Sequence, residues 1–345
     1  MDPFVPTEYK IEMQGVADGA NISFTDIAKA YMTIVWLDLG CISVACWNNA
    51  TVDQEMLHAR SLDFPLTIKD PVTNNYVHEH QFLLLRNPKN RQKTLTPTIA
   101  GTPNFGGGFS EAKIAIGNQV CQSKDNSFNG TLIQFRIQQA LEYAPNLTKA
   151  ISFLTTNKTI DWNQVVADAS TNNAVAIETT ANHAAVHSWN DLDESKSPFT
   201  EIPFVIRRTN FFINQSTAET QRSHYNPSGF LGFIRMILSD EYFFTPWILY
   251  KALSDQILSH YGSMNVSTIL HSIRLIYHGN TDPLLHLLSV VLHQVYTSTG
   301  FLNPWHQWVC NLKTGELAIS FASADKPASE NQIHTINIYD LFESI

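Results

Sequence analysis

Charge is scarce in this chain: only 15% of its 345 residues are Asp, Glu, Lys or Arg, and the balance is −9. No cluster of lysine or arginine exists that could neutralise a phosphate backbone, so nucleic acid is excluded and small molecules or lipids are the favoured partners. Cysteine is scarce too. Four of them in a chain of this length make no disulfide framework, and each has to be explained singly. No stretch rich in Pro, Gly or Ser and no low-complexity tract marks a linker, so the chain reads as one domain although its length alone allows two. A membrane span is also missing. The longest apolar stretch, Leu284 to Tyr296, is interrupted by His286, Ser289, His293 and Gln294 and falls short of the ~20 residues a span needs. The opening Met1-Asp2-Pro3-Phe4-Val5 has neither the basic region nor the apolar region of a signal peptide.

What is present is an ordinary core, with 44% hydrophobic residues, and one suggestive cysteine. Gly40-Cys41 heads an alternating run, Cys41-Ile42-Ser43-Val44-Ala45-Cys46-Trp47, and His58-Ala59-Arg60-Ser61-Leu62-Asp63-Phe64 follows shortly after. If the Asn48-Asn49 region turns the chain, the two runs pair as antiparallel strands and bring Arg60 and Asp63 back toward Cys41. A thiol beside an unhindered glycine carbonyl can attack it, take the peptide onto sulfur and let water cut the chain, leaving Cys41 as a new N-terminus. Its α-amine, with an ordinary pKa of about 8, could then serve as the base for its own thiol. Strict alternation puts Arg60 and Asp63 on opposite strand faces, so a strand end or bulge near Ser61 is expected if both serve the site; otherwise they form a strand-end ion pair. Cys46, five residues on, lies on the face opposite Cys41 and reads as a buried core thiol. On local sequence alone Cys41 itself reads as a structural cysteine.

The order of further blocks turns that reading. Ile11-Glu12-Met13-Gln14-Gly15-Val16-Ala17-Asp18-Gly19-Ala20 resembles E-M-x-G-I-A-x-G-A, and the His58–Phe64 run resembles H-G-R-N-L-D. Gly108 to Asn118 is similar to G-M-N-E-x-G-L-A-V-G-x-N; Asp168-Ala169-Ser170 with Ala174 to Glu178 matches a further block, and Arg208-Thr209-Asn210-Phe211-Phe212 resembles H-T-N-H-F. In this order, across most of the chain, the blocks resemble the N-terminal-nucleophile (Ntn) cysteine hydrolases, in the isopenicillin N acyltransferase and acid ceramidase-like branch. Ser61 stands where that family has asparagine, and Ala112-Lys113 interrupts its glycine. The upstream segment is short for the family, which implies a truncated or unusual N-terminus.

The resemblance implies an α+β fold, the four-layer αββα sandwich of the Ntn-hydrolase type. It also implies cleavage at Gly40-Cys41 into an alpha segment, 1–40, and a catalytic beta segment, 41–345, that stay together as one domain. Cys41 is the expected nucleophile, Arg60 orients the acyl group, Asp63 anchors the α-amine and the Asn210 side-chain amide stabilises the oxyanion; the alternative for Asn210 is a polar strand-end residue. No metal or organic cofactor is required. The expected substrate is an N-acylated small molecule or lipid whose amide bond is hydrolysed through a thioester; acyl transfer to an amine acceptor and a non-catalytic relative are the alternatives. Asn21, Asn49, Asn129, Asn146, Asn157, Asn214 and Asn265 head seven N-x-S/T triplets, where composition predicts roughly four. With the family's lysosomal members, they point to a secreted or lysosomal glycoprotein whose signal peptide lies outside this chain; a cytoplasmic enzyme is the alternative.

Ser23 with Asp26 forms a capping box, and Ile27, Tyr31, Ile34 and Val35 recur at helical spacing into the Cys41 strand. Helices are expected over Ile133 to Tyr143, Leu147 to Leu154, Phe230 to Leu258 and Ile269 to Tyr296. Hairpins are expected around Thr171-Asn172-Asn173 and at Lys313-Thr314-Gly315. His78-Glu79-His80 sets two imidazoles on one strand face but lacks a third metal ligand. Phe105 to Ser110 lacks the G-x-S-x-G elbow and reads as a turn into the next strand, lining the pocket. The aromatic stretch Tyr242 to Trp247 reads as helix core packing.

Overall fold

A computed structural model describes residues 2–33, 40–221, 241–278 and 303–345. Two antiparallel sheets lie face to face between two helical layers. The first contains β1 (Gly40–Cys46), β2 (Leu57–Phe64), β10 (Val205–Arg208), β11 (Asn303–Asn311), β12 (Glu316–Phe321) and β13 (His334–Asn337), in the order β10-β1-β2-β11-β12-β13. The second runs in sequence order from β3 (Gln81–Arg86) and β4 (Thr94–Ile99) through β5 (Gly107–Ser110), β6 (Ile114–Val120), β7 (Trp162–Asp168) and β8 (Asn173–Thr179) to β9 (Ala184–His187). Inward residues such as Ala45, Phe109, Ala115, Val165, Ile206 and Trp308 fill the space between the sheets.

Each sheet buries most of its other face under helices, which is why its central strands lack the polar side of a solvated sheet, while the edge strands β3, β9 and β13 stay partly exposed. On the first sheet, Ile42, Val44 and Cys46 pack beneath Leu253 of α7 (Glu241–Ser259) and Ile273 of α8 (Val266–His278). On the second, Ile116, Val166 and Ile177 pack beneath α3 (Ile133–Tyr143) and α4 (Leu147–Thr155). This is the expected αββα sandwich. The short α5 (Leu192–Ser195) and α6 (Gln215–Ala218) flank β10, and α9 (Ile338–Glu343) closes the chain. Cys46 faces the helices, and Cys41 points to the opposite face of the first sheet together with its cross-strand partner Leu62, as alternation requires.

The N-terminal pair α1 (Thr7–Ala20) and α2 (Phe24–Thr33) docks on the start of α3 through Tyr9, Met13, Ala17, Ile27 and Tyr31 against Leu132 and Phe135. One half of the Ser23 capping box forms: the Asp26 N–H donates to Ser23 Oγ at 3.2 Å, and the Asp26 carboxylate accepts from the Ser23 hydroxyl at 2.7 Å in place of the backbone N–H. A polar network also fastens α1. The Tyr9 hydroxyl donates to Glu142 Oε2 at 3.0 Å, Arg91 meets the same oxygen at 2.5 Å, and Arg86 pairs with Glu12.

The two expected hairpins are both present, as β7–β8 and β11–β12. His78-Glu79-His80 departs from its reading: it lies in a 3-10 turn, Val77–His80, and His78 Nε2 sits 2.8 Å from the Ala324 carbonyl. Ile34, Val35, the Phe230 to Asp240 part of one expected helix and the part of the other beyond His278 lie outside the described residues, as does the Leu284 to Tyr296 stretch.

Candidate active site

The Cys41 and Arg60 runs pair as expected. Gly40 stands opposite Asp63, Cys41 opposite Leu62 and Ser43 opposite Arg60, with two short 3-10 turns making the connection. Cys41 is fully buried at the second position of β1. Its backbone N–H donates to Asn210 Oδ1 at 2.8 Å, and Arg60 Nη2 lies 3.8 Å from its sulfur.

Both partners are held firmly. Arg60 donates through Nε to the Gly106 carbonyl and through Nη2 to Asn118 Oδ1 at 3.4 Å. Gly106 has φ +125°, and a Cβ there would stand 2.5 Å from Arg60 Nη2, so the guanidinium occupies the volume of the missing side chain. Asn210 lies just past β10 in a segment clamped from two sides. Asn163 Nδ2 donates to the carbonyls of Thr209 and Phe211, the Thr209 hydroxyl donates to the Pro246 carbonyl, and the Phe211 ring packs against Trp247 and Tyr250. The Trp247 end of the aromatic stretch thus serves as core under the Asn210 segment.

Two arrangements differ from the sequence expectation. β2 keeps regular pairing with β1 through Ser61, and the irregularity falls on β11 instead, between Pro304 and His306 opposite Asp63 and Leu62. Asp63 therefore follows strict alternation: its carboxylate accepts from the Ser61 hydroxyl at 2.6 Å and from the Tyr277 hydroxyl of α8 at 2.5 Å. For Asn210, Oδ1 is at the Cys41 nitrogen and Nδ2 donates to the Val120 carbonyl at 2.8 Å. The structure thus brings Cys41, Arg60 and Asn210 into direct contact and sets the Asp63 carboxylate on the helix side of the same strand pair. Sequence reading overlooked Asn118 and Tyr277; Asn118 ends the Gly108–Asn118 block and was within reach, whereas Tyr277 carries no local signal.

The electrostatics follow from burial. Burial pushes the Cys41 thiol up to about 11; the Arg60 charge pulls it down, the Asp63 charge pushes it up, and hydrogen bonding with the Asp63 backbone and Asn210 side chain pulls it down. Burial also raises Asp63, to about 6, against the hydrogen bonds from Ser61 and Tyr277 and the Arg60 charge. Beside Arg60 lies a narrow cleft of about 20 Å³ lined by Leu62, Phe105, Asn118, Ile133, Gln134 and Trp162 among others. Such a volume has room for an ordered water. Its α3 wall is tied to the N-terminal helices, because Gln134 Nε2 donates to the Tyr31 carbonyl at 3.0 Å.

No protein-family model matches the chain. An uncharacterized protein of Archaeoglobus fulgidus is 22% identical over 351 residues, 89% of this chain and 55% of its own length. Protein dcd1A of Dictyostelium discoideum is 32% identical over 69 residues, 20% of this chain and 16% of its own. The chain thus spans about half of the first relative's length and matches a small part of the second. Among solved structures, a mutant conjugated bile acid hydrolase from Clostridium perfringens superposes with a TM-score of 0.50 at 13% identity, covering 87% of this chain and 93% of that one. Penicillin V acylase from Agrobacterium tumefaciens gives 0.50 at 12% identity, covering 87% and 86%. The fold is that of the Ntn hydrolases.

Proposed function

We propose that the chain is a self-processing cysteine amidase acting on N-acylated small molecules or lipids. One observation carries the reading: at the head of β1 the Cys41 N–H is held by Asn210 Oδ1 while the Arg60 guanidinium lies beside the sulfur. In the first stage the Cys41 thiol gives up its proton and attacks the Gly40 carbonyl carbon. The Gly40–Cys41 C–N bond breaks, the proton passes to the departing nitrogen, and water then adds to the thioester and breaks the C–S bond. A Gly40 carboxylate and a free Cys41 amine and thiol result. The new amine sits where Asn210 Oδ1 already accepts, and it supplies the base that a thiol with a raised pKa lacks in the uncut chain. Asp63 supports that amine through its charge.

In the second stage the thiolate attacks the substrate carbonyl, the amine leaves with a proton from the Cys41 ammonium, and water releases the acyl group. Arg60 orients the acyl side. Backbone N–H groups and the Asn118 amide supply the oxyanion donors, while Asn210 holds the Cys41 nitrogen; Asn118 Oδ1 accepts from Arg60, which leaves its Nδ2 as the donor. The apolar lining of the cleft supports an acyl substrate, which has to widen the cleft to enter. That two proteins of this fold are named as a conjugated bile acid hydrolase and a penicillin V acylase agrees with amide chemistry. The N-x-S/T triplets support a secretory or lysosomal location: six of their seven asparagines are exposed, and Asn214 is half-buried.

The test is turnover of N-acyl amides by the cut protein, with hydroxylamine added to trap a thioester. Release of free amine, abolished by Cys41→Ala, is the expected result. No turnover and no labelling of Cys41 by an acyl probe would leave a non-catalytic relative; transfer to an added amine in preference to water would make it an acyltransferase.

A further inference from the structure

Away from the Cys41 site, a second cluster gathers at the end of β9. His187 is 1% exposed, yet among the described residues neither ring nitrogen has a hydrogen-bond partner. Nδ1 faces Asp191 Oδ1 at 3.6 Å and Nε2 faces Glu178 Oε1 at 3.7 Å, both beyond hydrogen-bond length. Asp193 completes the group: one ligating atom from each of His187, Asp191 and Asp193 lies no more than 4.8 Å from the others. A buried imidazole with both nitrogens unsatisfied and two carboxylates in front of it is costly unless something bridges them.

We propose that His187, Asp191 and Asp193 form a site for a divalent transition metal of the zinc type. Ligand atoms about such an ion, at ~2.0–2.2 Å from it, stand roughly 3.3–3.6 Å apart. The 3.6 Å between Nδ1 and Asp191 meets that spacing, and the Asp193 ligand atom lies within 4.8 Å of the other two. The orientation of the ring fits as well. A metal-bound histidine ordinarily turns its other N–H to a carboxylate, and Glu178 stands on the Nε2 side. Glu178 is fixed there by the Arg208 guanidinium and by the backbone N–H groups of Ile213 and Asn214. The remaining charges at the cluster are consistent with an ion. Arg208 is also paired with Glu194, so it does not compete for the aspartates. Asp193 accepts from Asn214 through Oδ2 and pairs through Oδ1 with Lys196, whose side chain is mostly exposed and can swing into solvent when a stronger cation arrives. One imidazole nitrogen among carboxylates favours zinc, cobalt or nickel over calcium and magnesium, which prefer oxygen alone.

The site takes no part in thiol chemistry. Its place in the fold is mechanical: Asp193 and Glu178 hold Asn214, at the far end of the short segment that carries Asn210. An ion there ties β9 and α5 to that segment.

The full chain, in a Cys41→Ala background so that the reactive thiol binds no metal, is stripped with a chelator and titrated with Zn2+ and then Co2+. One equivalent is expected, with visible Co2+ bands of a low-coordinate nitrogen and oxygen site and a melting temperature that rises with metal concentration. His187→Gln and Asp191→Asn should each weaken binding tenfold or more; the second keeps the N-cap of α5 and so folds whatever the first does. Absence of binding, binding that survives both variants, or a preference for Ca2+ or Mg2+ overturns the proposal.

Discussion

Replacing Gly106 by alanine tests the heart of the site without touching any residue that reacts. At φ +125° an L-residue is strained by about 1–3 kcal/mol. The added Cβ also stands 2.5 Å from Arg60 Nη2 and 2.8 Å from Cζ, so the guanidinium has to retreat by about an ångström to reach ordinary contact. The Nη2 to sulfur distance, 3.8 Å in the native chain, then grows to nearly 5 Å. At an effective dielectric of about 20 that change weakens the attraction between guanidinium and thiolate by roughly 1 kcal/mol, or somewhat under one pKa unit on a thiol already raised. Urea unfolding followed by fluorescence should lose about 1–3 kcal/mol, and cleavage at Gly40-Cys41, followed by intact mass over time, should slow about fivefold. A normal cleavage rate in a Gly106→Ala protein with the expected stability loss would refute the idea that the Arg60 charge favours the Cys41 thiolate.

Further outcomes follow from the surrounding contacts. Because burial raises Asp63 to about 6 above its ordinary 3.8, ionising it in the fold is costly, so its contribution to stability is greatest below pH 4 and is lost as pH rises through about 6. Tyr277→Phe removes a hydrogen bond to the charged form, should cost about 1.5–3 kcal/mol at neutral pH and should carry the falling limb above pH 6; superimposable stability profiles from pH 4 to 8 would contradict this. Glu142→Ala leaves Arg91 and the Tyr9 hydroxyl without their carboxylate and should cost about 3–5 kcal/mol, with protease cutting first within α1; uniform proteolysis across the chain would argue against the latch. Expressed through a secretory pathway, the chain should lose mass on endoglycosidase treatment at the exposed triplets but not at Asn214, which caps α6 and donates to Asp193; a glycan on Asn214 would show that segment free during synthesis.

Much of the fold was legible because its strongest segments are locally consistent. The alternating run from Cys41 and the His58–Phe64 run gave the β1–β2 pair, and helical spacing placed α3 and α4 within a residue of their ends. The Cys41–Arg60 contact follows from that pairing. What stayed hidden depends on tertiary neighbours. The bulge sits on β11, more than two hundred residues from the strand it bends against, and Tyr277 reaches Asp63 from a helix just as remote. The orientation of Asn210 depends on the Val120 carbonyl, which no local pattern brings near it. His187 was missed for a similar reason: its carboxylates on the following turn look like ordinary capping residues until Glu178 is placed on the ring's far side.

The most direct test of the central claim is the intact mass and N-terminal sequence of the purified chain beside Cys41→Ala. The account predicts a new N-terminus at Cys41 in the native protein, with the 1–40 segment still bound, and an uncut mutant. A native chain that remains whole after incubation at acid and neutral pH, or a mutant cut at the same bond, would contradict it.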